Sequence, residues 1–196
     1  MPRIFFIRHG LTDWNAAARL QGSTDIPLND IGRRQARGNG FKLQDLIGDA
    51  AGYDFVAGPL SRTVETMRLV RTSMGLEPDD FRRDPELVEV GFGDWEGKRW
   101  VELRESDPAG VEAYLAAPLN FAPPNGEGYG GAHDRAVRWL ESVTQDTVVV
   151  SHGGISRVLR GYLLGMPEPE IVQLKVPQDK VMEIVRTPDL QDVVWH

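Results

Sequence analysis

Pro2-Arg3-Ile4-Phe5-Phe6-Ile7-Arg8-His9-Gly10-Leu11-Thr12 is the stretch from which the rest of the chain is read. From Arg3 to Ile7 the residues are mostly β-branched or aromatic, which predicts a short strand buried on both faces. The run stops abruptly in Arg8-His9-Gly10. A cation and an imidazole at the carboxyl end of a core strand, followed by a glycine that lets the chain turn, stand where open α/β sheets bind ligands. The imidazole there is a candidate nucleophile, and the guanidinium beside it is a candidate anion holder.

A second run of this kind lies far along the chain. Thr147-Val148-Val149-Val150-Ser151 is a continuous β-branched strand ending in Ser151-His152-Gly153-Gly154. A helix follows, with Ile155, Val158, Leu159, Tyr162 and Leu163 on one face and Gly165 and Pro167 stopping it. Tyr53 to Ala57 predicts a third strand. Gly58-Pro59-Leu60-Ser61-Arg62-Thr63 follows it, then a helix to about Met74 with Leu60, Val64, Met67, Val70 and Met74 on its apolar face. Arg62 falls in the first turn of that helix, where a cation opposes the helix dipole unless an anion shares the site. Strands alternating with helices imply an α/β fold of three layers, a mostly parallel central sheet with helices on both faces. In such a sheet the parallel carboxyl ends lie on one edge, so Arg8, His9, Arg62 and His152 are expected to converge.

The remaining segments fill in this frame. Residues 11–29 are polar, with Gly, Pro and Asn punctuation, and read as a long functional loop containing a short helix near Asn15 to Arg19. A helix starts at Asn29 or Asp30 and runs to about Ile47, carrying Gly38 and Gly40. Asp84 to Gly97 is extended and offers three candidate acids or bases, Glu86, Glu89 and Glu96, among which spacing alone does not choose. Trp100 to Ala117 is helical with a break at Asp107-Pro108. Leu119 to Gly131, rich in Pro and Gly, is a loop and a candidate lid. A helix from Ala132 to about Val143 follows. Ile171 to Val176 and Val181 to Val185 read as two terminal strands.

With 196 residues the chain is expected to form one domain, 1–196, with a lid or insertion at about 98–131. It has no cysteine, which excludes disulfides, thiolate metal sites and a cysteine nucleophile. Net charge is −7, from 22 Lys plus Arg against 29 Asp plus Glu, and no basic block occurs. Nucleic acid is therefore not an expected partner, and an anion must be drawn by a local cluster. No apolar run is long enough to span a bilayer, and Met1 leads straight into the first strand; a cytoplasmic protein without a secretory signal is expected. The four histidines, at 9, 133, 152 and 196, show no metal-ligand spacing. Composition does not speak to oligomeric state.

Taken together, five elements in order resemble the histidine phosphatase superfamily, the phosphoglycerate mutase-like group. They are Arg8-His9-Gly10 with Thr12, Trp14 and Asn15; Gln21-Gly22 with Thr24-Asp25 and Pro27-Leu28; Pro59-Leu60-Ser61-Arg62-Thr63 with Glu65-Thr66; Leu87 and Glu89 leading to Phe92-Gly93-Asp94-Trp95-Glu96-Gly97; and Ser151-His152-Gly153-Gly154. The resemblance covers nearly the whole chain. It implies that His9 is the nucleophile that becomes phosphorylated, and that Arg8, Arg62 and His152 surround the phosphoryl oxygens. It implies Glu89, three residues before Phe92-Gly93, as the proton donor. Asn15 and the backbone of Gly153 are implied as further phosphate contacts, with Thr12, Gln21 and Gly22 lining the loop near the substrate. No cofactor or metal is implied. One departure is Gly126-Glu127-Gly128, where many relatives have Gly-Glu-Ser after the proline pair.

The implied chemistry suits these residues. Phosphoryl transfer needs positioning and charge stabilisation, which two guanidiniums and an imidazolium supply in a partly dry pocket. The reacting nitrogen of His9 must be unprotonated, and a hydrogen bond from its other nitrogen to a carbonyl would hold that tautomer. Glu89 must carry a proton to give to the leaving alkoxide, and it then serves as base when water attacks phosphohistidine. The family includes hydrolases and mutases. Glu105 to Asp134 contains no Lys or Arg, whereas mutases carry a longer, basic insertion there. The expected activity is therefore hydrolysis of a small phosphorylated metabolite, with a phosphoglycerate mutase as the alternative. A non-catalytic phosphate-binding module would have no need of Glu89.

Overall fold

The first strand, β1 (Ile4–Arg8), is buried along four of its five residues. Its side chains alternate between two separate cores, as a pleated strand requires. Phe5 and Ile7 pack into one core with Phe55, Val148, Val150 and the helical residues Leu43, Met67 and Val70. Ile4 and Phe6 pack into the other, with Val149, Ala136, Trp139, Ile155 and Leu159. Two cores on opposite faces of one sheet make three layers. A computed structural model of the chain describes residues 1–186 and 191–196.

In order the elements are β1, α1 (Asp13–Ala16), α2 (Asp30–Ile47), β2 (Asp54–Ala57), α3 (Ser61–Ser73), β3 (Arg82–Arg83), α4 (Trp100–Ser106), α5 (Pro108–Ala116), α6 (Gly128–Ser142), β4 (Thr147–Ser151), α7 (Gly153–Leu164), α8 (Glu168–Ile171), β5 (Val181–Arg186) and β6 (Gln191–Trp195). Short 3-10 turns occupy Pro85–Leu87 and Gly93–Trp95. The sheet order is β3-β2-β4-β1-β5-β6. The pairs β1–β4, β2–β4 and β2–β3 are parallel, while β5 and β6 are antiparallel additions at one side. The expected mostly parallel α/β sheet is present. Among the described residues no helix is long and apolar enough to cross a membrane.

Four segments differ from the sequence reading. Residues 128–131, read as loop, are the first turn of α6. Glycine disfavours a helix by about 1 kcal/mol per residue, but tertiary burial of Tyr129, Ala132, Ala136 and Trp139 outweighs that. Ile171 to Val176 is not a strand: Ile171 closes α8 and the rest is irregular. The edge strands β3 and β6 were not anticipated; β3 has only two residues, both exposed, and β6 is mostly exposed. The break at Asp107-Pro108 is where expected, with Asp107 capping α5 through Gly110 N at 3.0 Å.

Helix α2 shows that its two interior glycines are not equivalent. A methyl group on Gly38 would meet nothing within 4 Å, whereas one on Gly40 would sit 2.6 Å from Val70 O and 2.7 Å from Ser73 Cβ on α3. Gly38→Ala is therefore expected to raise unfolding free energy by about 0.5–1 kcal/mol. Gly40→Ala is expected to lower it by about 1 kcal/mol or more, because overpacking exceeds the gain in helix propensity. Urea unfolding of both variants checks this; equal shifts would contradict the close α2–α3 approach.

Candidate active site

β1 and β4 are parallel neighbours in register, with Arg8 opposite Ser151. His9 N donates to Ser151 O at 2.9 Å, which continues the ladder one step past the strand. The next residue on each strand is therefore a histidine beside a histidine. The rings of His9 and His152 lie 5.2 Å apart, edge to face at 63°. Both are buried.

The His9 tautomer is set locally. Its Nδ1 lies 2.7 Å from Gly10 O, and a carbonyl only accepts, so Nδ1 carries the proton. Nε2 is left with its lone pair. Burial, and then the charges of Arg62 and Arg8, hold the His9 pKa well below its ordinary value. Burial and Arg62 do the same for His152. Both imidazoles are neutral here, so an imidazolium at 152 would have to form as an anion enters.

Arg62 is fully buried at the start of α3. Its Nη1 donates to Thr24 O at 2.8 Å and its Nη2 to Gly22 O at 2.7 Å. The anion that the helix terminus called for is Asp25, whose Oδ1 accepts from Ser61 N at 3.0 Å and lies 3.9 Å from Arg62 Nη1. Glu96 in turn pins the 22–24 loop: its carboxylate accepts from Ser23 N and Thr24 N, each at 2.9 Å, from Phe92 N at 3.0 Å, and from both hydroxyls of Ser23 and Thr24. Burial works the other way, yet these donors hold Glu96 below the usual carboxylate range. Arg8 donates from Nη1 to Val176 O at 2.7 Å. Desolvation, and then the nearby Arg157, push its pKa down to about 10.

The structure separates the three candidate carboxylates. Glu89 lines the cavity, accepting from Gly154 N at 3.0 and 3.2 Å and from Val90 N at 3.0 Å. A side chain on Gly154 would collide with that carboxylate. Glu86 points away and pairs with Arg138 at 3.1 Å. Glu96 is the loop staple just described.

The cavity encloses about 160 Å³. Arg8, His9, Asn15, Gln21, Gly22, Glu89 and Gly153 are on its wall, while Arg62, His152 and Thr12 are fully buried and absent from that wall. Thr12 stands directly behind two wall residues: its hydroxyl accepts from Asn15 N at 3.1 Å and donates to Gln21 Oε1 at 2.9 Å. It orders the loop without facing the cavity. Gly22 contributes its carbonyl to Arg62.

Four buried nitrogens, Nε of Arg8, Nε of Arg62 and both ring nitrogens of His152, have no hydrogen-bond partner among the described residues. A buried polar atom left unpaired costs about 1–3 kcal/mol, so a cluster of them marks a place for a polar ligand. Among the described residues no group of three or more His, Asp or Glu side chains is arranged to hold a metal ion.

Of the further wall residues, Tyr114 and Tyr129 belong to the candidate lid, while Arg157 and Trp100 are not singled out by the sequence. Arg157 lies one helical turn beyond Gly153 on α7 and shares the wall with Trp100, Tyr114 and Tyr129, of which Tyr129 is in hydrogen-bond contact with it. Reading α7 for its apolar face alone passed over Arg157, although the i, i+4 spacing from Gly153 points to it. Arg135 on α6 clamps the segment that carries Glu89, donating to Glu86 O and Val88 O at 2.6 Å and to Glu89 O at 3.1 Å.

Residues 4–196 match the family model described as the histidine phosphatase superfamily (branch 1). The chain is 32% identical to an adenosylcobalamin/alpha-ribazole phosphatase of Salmonella typhimurium over 90% of its length and 86% of the relative's. It is 30% identical to a glucosyl-3-phosphoglycerate phosphatase of Mycolicibacterium vanbaalenii, over 84% of this chain and 75% of that one. The crystal structure of the alpha-ribazole phosphatase from Shigella flexneri superposes with a TM-score of 0.81 at 27% identity, covering 98% of this chain and 94% of that one. The chain belongs to the histidine phosphatase superfamily.

The neutral histidine pair has a consequence for stability. Below about pH 6.5 the unfolded chain protonates both imidazoles while the native chain does not, so the unfolded state binds more protons and stability falls as pH falls. The limiting slope is about 1.4 kcal/mol per pH unit for each histidine. Urea midpoints measured from pH 7 to 5.5 should decline in the native chain and decline less in His152→Asn. Parallel declines would mean that His152 is already protonated in the native state.

Proposed function

From membership of that superfamily and the geometry of the cavity, we propose that the chain hydrolyses small phosphomonoesters through a phosphohistidine at His9. The observation that carries the reading is the pairing of a free, unprotonated Nε2 on His9 with unpartnered nitrogens on Arg8, Arg62 and His152. His9 Nε2 attacks phosphorus and the bond to the ester oxygen breaks. Glu89 gives its proton to that oxygen, and the alcohol leaves. Water then attacks the phosphorus of phosphohistidine, Glu89 takes the water's proton, and the phosphorus–nitrogen bond breaks to free phosphate and His9.

The charges around the cavity suit a dianion. Arg8, Arg19 and Arg157 on the wall and Arg62 buried behind it contribute four cations, against the carboxylate of Glu89 on the wall and that of Glu102, which pairs with Arg19 at 3.6 Å. A phosphate dianion brings the local sum near neutrality. Arg8, Arg62, His152 and Asn15 hold the phosphoryl oxygens in this reading, with Gly153 close by and Gln21 next to the ester group.

Hydrolase is favoured over mutase by the segment from 98 to 131. Glu105 to Asp134 supplies no cation for a carboxylate or a second phosphate. Instead Trp95 packs on Phe121 at 5.2 Å and on Tyr114 at 5.9 Å, and its Nε1 donates to Asp107 at 3.0 Å. That anchoring supports reading the insertion as a packed apolar wall within one domain. Relatives named as adenosylcobalamin/alpha-ribazole and glucosyl-3-phosphoglycerate phosphatases support a small phosphorylated metabolite as substrate, and the net charge of −7 disfavours nucleic acid.

Hydrolysis of p-nitrophenyl phosphate tests the assignment. His9→Ala should lower kcat by about three orders of magnitude or more with the fold intact by circular dichroism; retained activity would remove His9 as nucleophile. Glu89→Gln should slow alkyl phosphates by about 10²–10⁴-fold and p-nitrophenyl phosphate much less, since nitrophenolate leaves without a proton. Equal losses would remove the acid role. Isomerisation of 3-phosphoglycerate in the presence of bisphosphoglycerate at a rate above hydrolysis would favour the mutase.

A further inference from the structure

Residues 172–180 form neither helix nor strand, yet two of their carbonyls and one of their side chains bond to residues that line the site. Leu174 O accepts from Arg157 Nε at 2.9 Å, Lys175 O from Arg160 Nη1 at 2.9 Å, and Val176 O from Arg8 Nη1 at 2.7 Å. Gln178 then turns inward. Its backbone carbonyl is held by Asn39 Nδ2 of α2 at 2.9 Å. Its side-chain Nε2 reaches His9 O and Asn15 Oδ1, each at 3.0 Å.

The two contacts of Nε2 fix the polarity of a short chain of amides. The His9 carbonyl only accepts, so the end of Gln178 facing it is the NH2 group. The second hydrogen of that group needs an acceptor, and the atom of Asn15 that meets it is therefore the oxygen. Asn15 lies on the cavity wall, and its own NH2 is the end not engaged by Gln178. We propose that Gln178 is a positioning residue: it holds the Asn15 amide with its donor toward the phosphate and its acceptor away, while tying down the backbone of the nucleophile. A reversed Asn15 amide would present an oxygen lone pair to a dianion. The inference rests on the phosphatase reading for what the cavity binds.

Gln178→Glu tests the polarity directly. A carboxylate at this place accepts from Asn15 Nδ2, turning the amide over, and has no hydrogen for His9 O. Affinity for inorganic phosphate, measured by calorimetry, is expected to fall tenfold or more, with KM for p-nitrophenyl phosphate rising in step. Gln178→Met, which keeps the volume and removes the hydrogen bonds without reversing the amide, is expected to give a smaller loss of about threefold. Asn15→Ala alone should weaken phosphate, and adding Gln178→Glu to it should change the affinity by less than twofold.

An undiminished loss in the Asn15→Ala background would overturn the proposal, because the new negative charge and not Asn15 would then be responsible. Unchanged phosphate affinity in both Gln178→Met and Gln178→Glu, with unchanged thermal unfolding, would overturn it as well. Phosphate affinity decides the matter whether or not p-nitrophenyl phosphate is hydrolysed. A wild-type chain that binds phosphate without turnover would end the phosphatase reading and leave the Gln178 comparison intact.

Discussion

Parallel pairing of β1 with β4 is the constraint on which the site depends. Arg8 stands opposite Ser151, and the ladder continues through His9 N to Ser151 O. Two residues far apart in sequence are thereby held as neighbours by backbone hydrogen bonds. The strand period of two decides which side chains enter the cores and which follow the strand end into the cavity. A shift of one residue in this register would exchange Phe5 and Ile7 with Ile4 and Phe6 between the two cores. The burial of all four side chains resists such a shift.

That geometry gathers cations in a chain whose net charge is −7. The protein stabilises them with dipoles more than with opposite charges. Arg62 is met by Thr24 O and Gly22 O, Arg8 by Val176 O and Arg157 by Leu174 O. A carbonyl satisfies a donor without cancelling its charge, so the positive potential remains available to an anion. Carboxylates serve one step further out. Glu96 fixes the loop whose carbonyls hold Arg62, and Glu127 pairs at 2.8 Å with Arg135, which fixes the segment that carries Glu89.

The sheet and the cluster of Arg8, His9, Arg62 and His152 were legible because strong local signals coincide there: unbroken β-branched runs, a polar end and a glycine. Glu89 was distinguishable from Glu86 and Glu96 only by resemblance, since all three occur in one extended segment and only tertiary packing turns each to its own partner. Arg157 and Arg135 were not legible because an arginine on an amphipathic helix reads as solvent-facing; their burial comes from carbonyls on distant segments. For Thr12 the sequence leaves a direct and an indirect role open. A hydroxyl that caps Asn15 and orients Gln21 has the same sequence signature as one that touches a ligand.

The misreading of Ile171 to Val176 as a strand shows the competition most clearly. Its alternation of apolar and polar residues fits a strand, and β5 next to it does pair with β1. A strand at 171–176 would use its carbonyls in a ladder. Here Leu174, Lys175 and Val176 give theirs to three arginines from β1 and α7. Each such bond has a charged donor and is worth about 1.5–3 kcal/mol, against about 0.5–1.5 kcal/mol for a neutral ladder bond. The buried guanidiniums of Arg8 and Arg157 have the greater need of those acceptors, so the segment is pulled from the sheet and becomes the support of the cavity. The same cations that suit the site to phosphate therefore determine the path of the chain behind it.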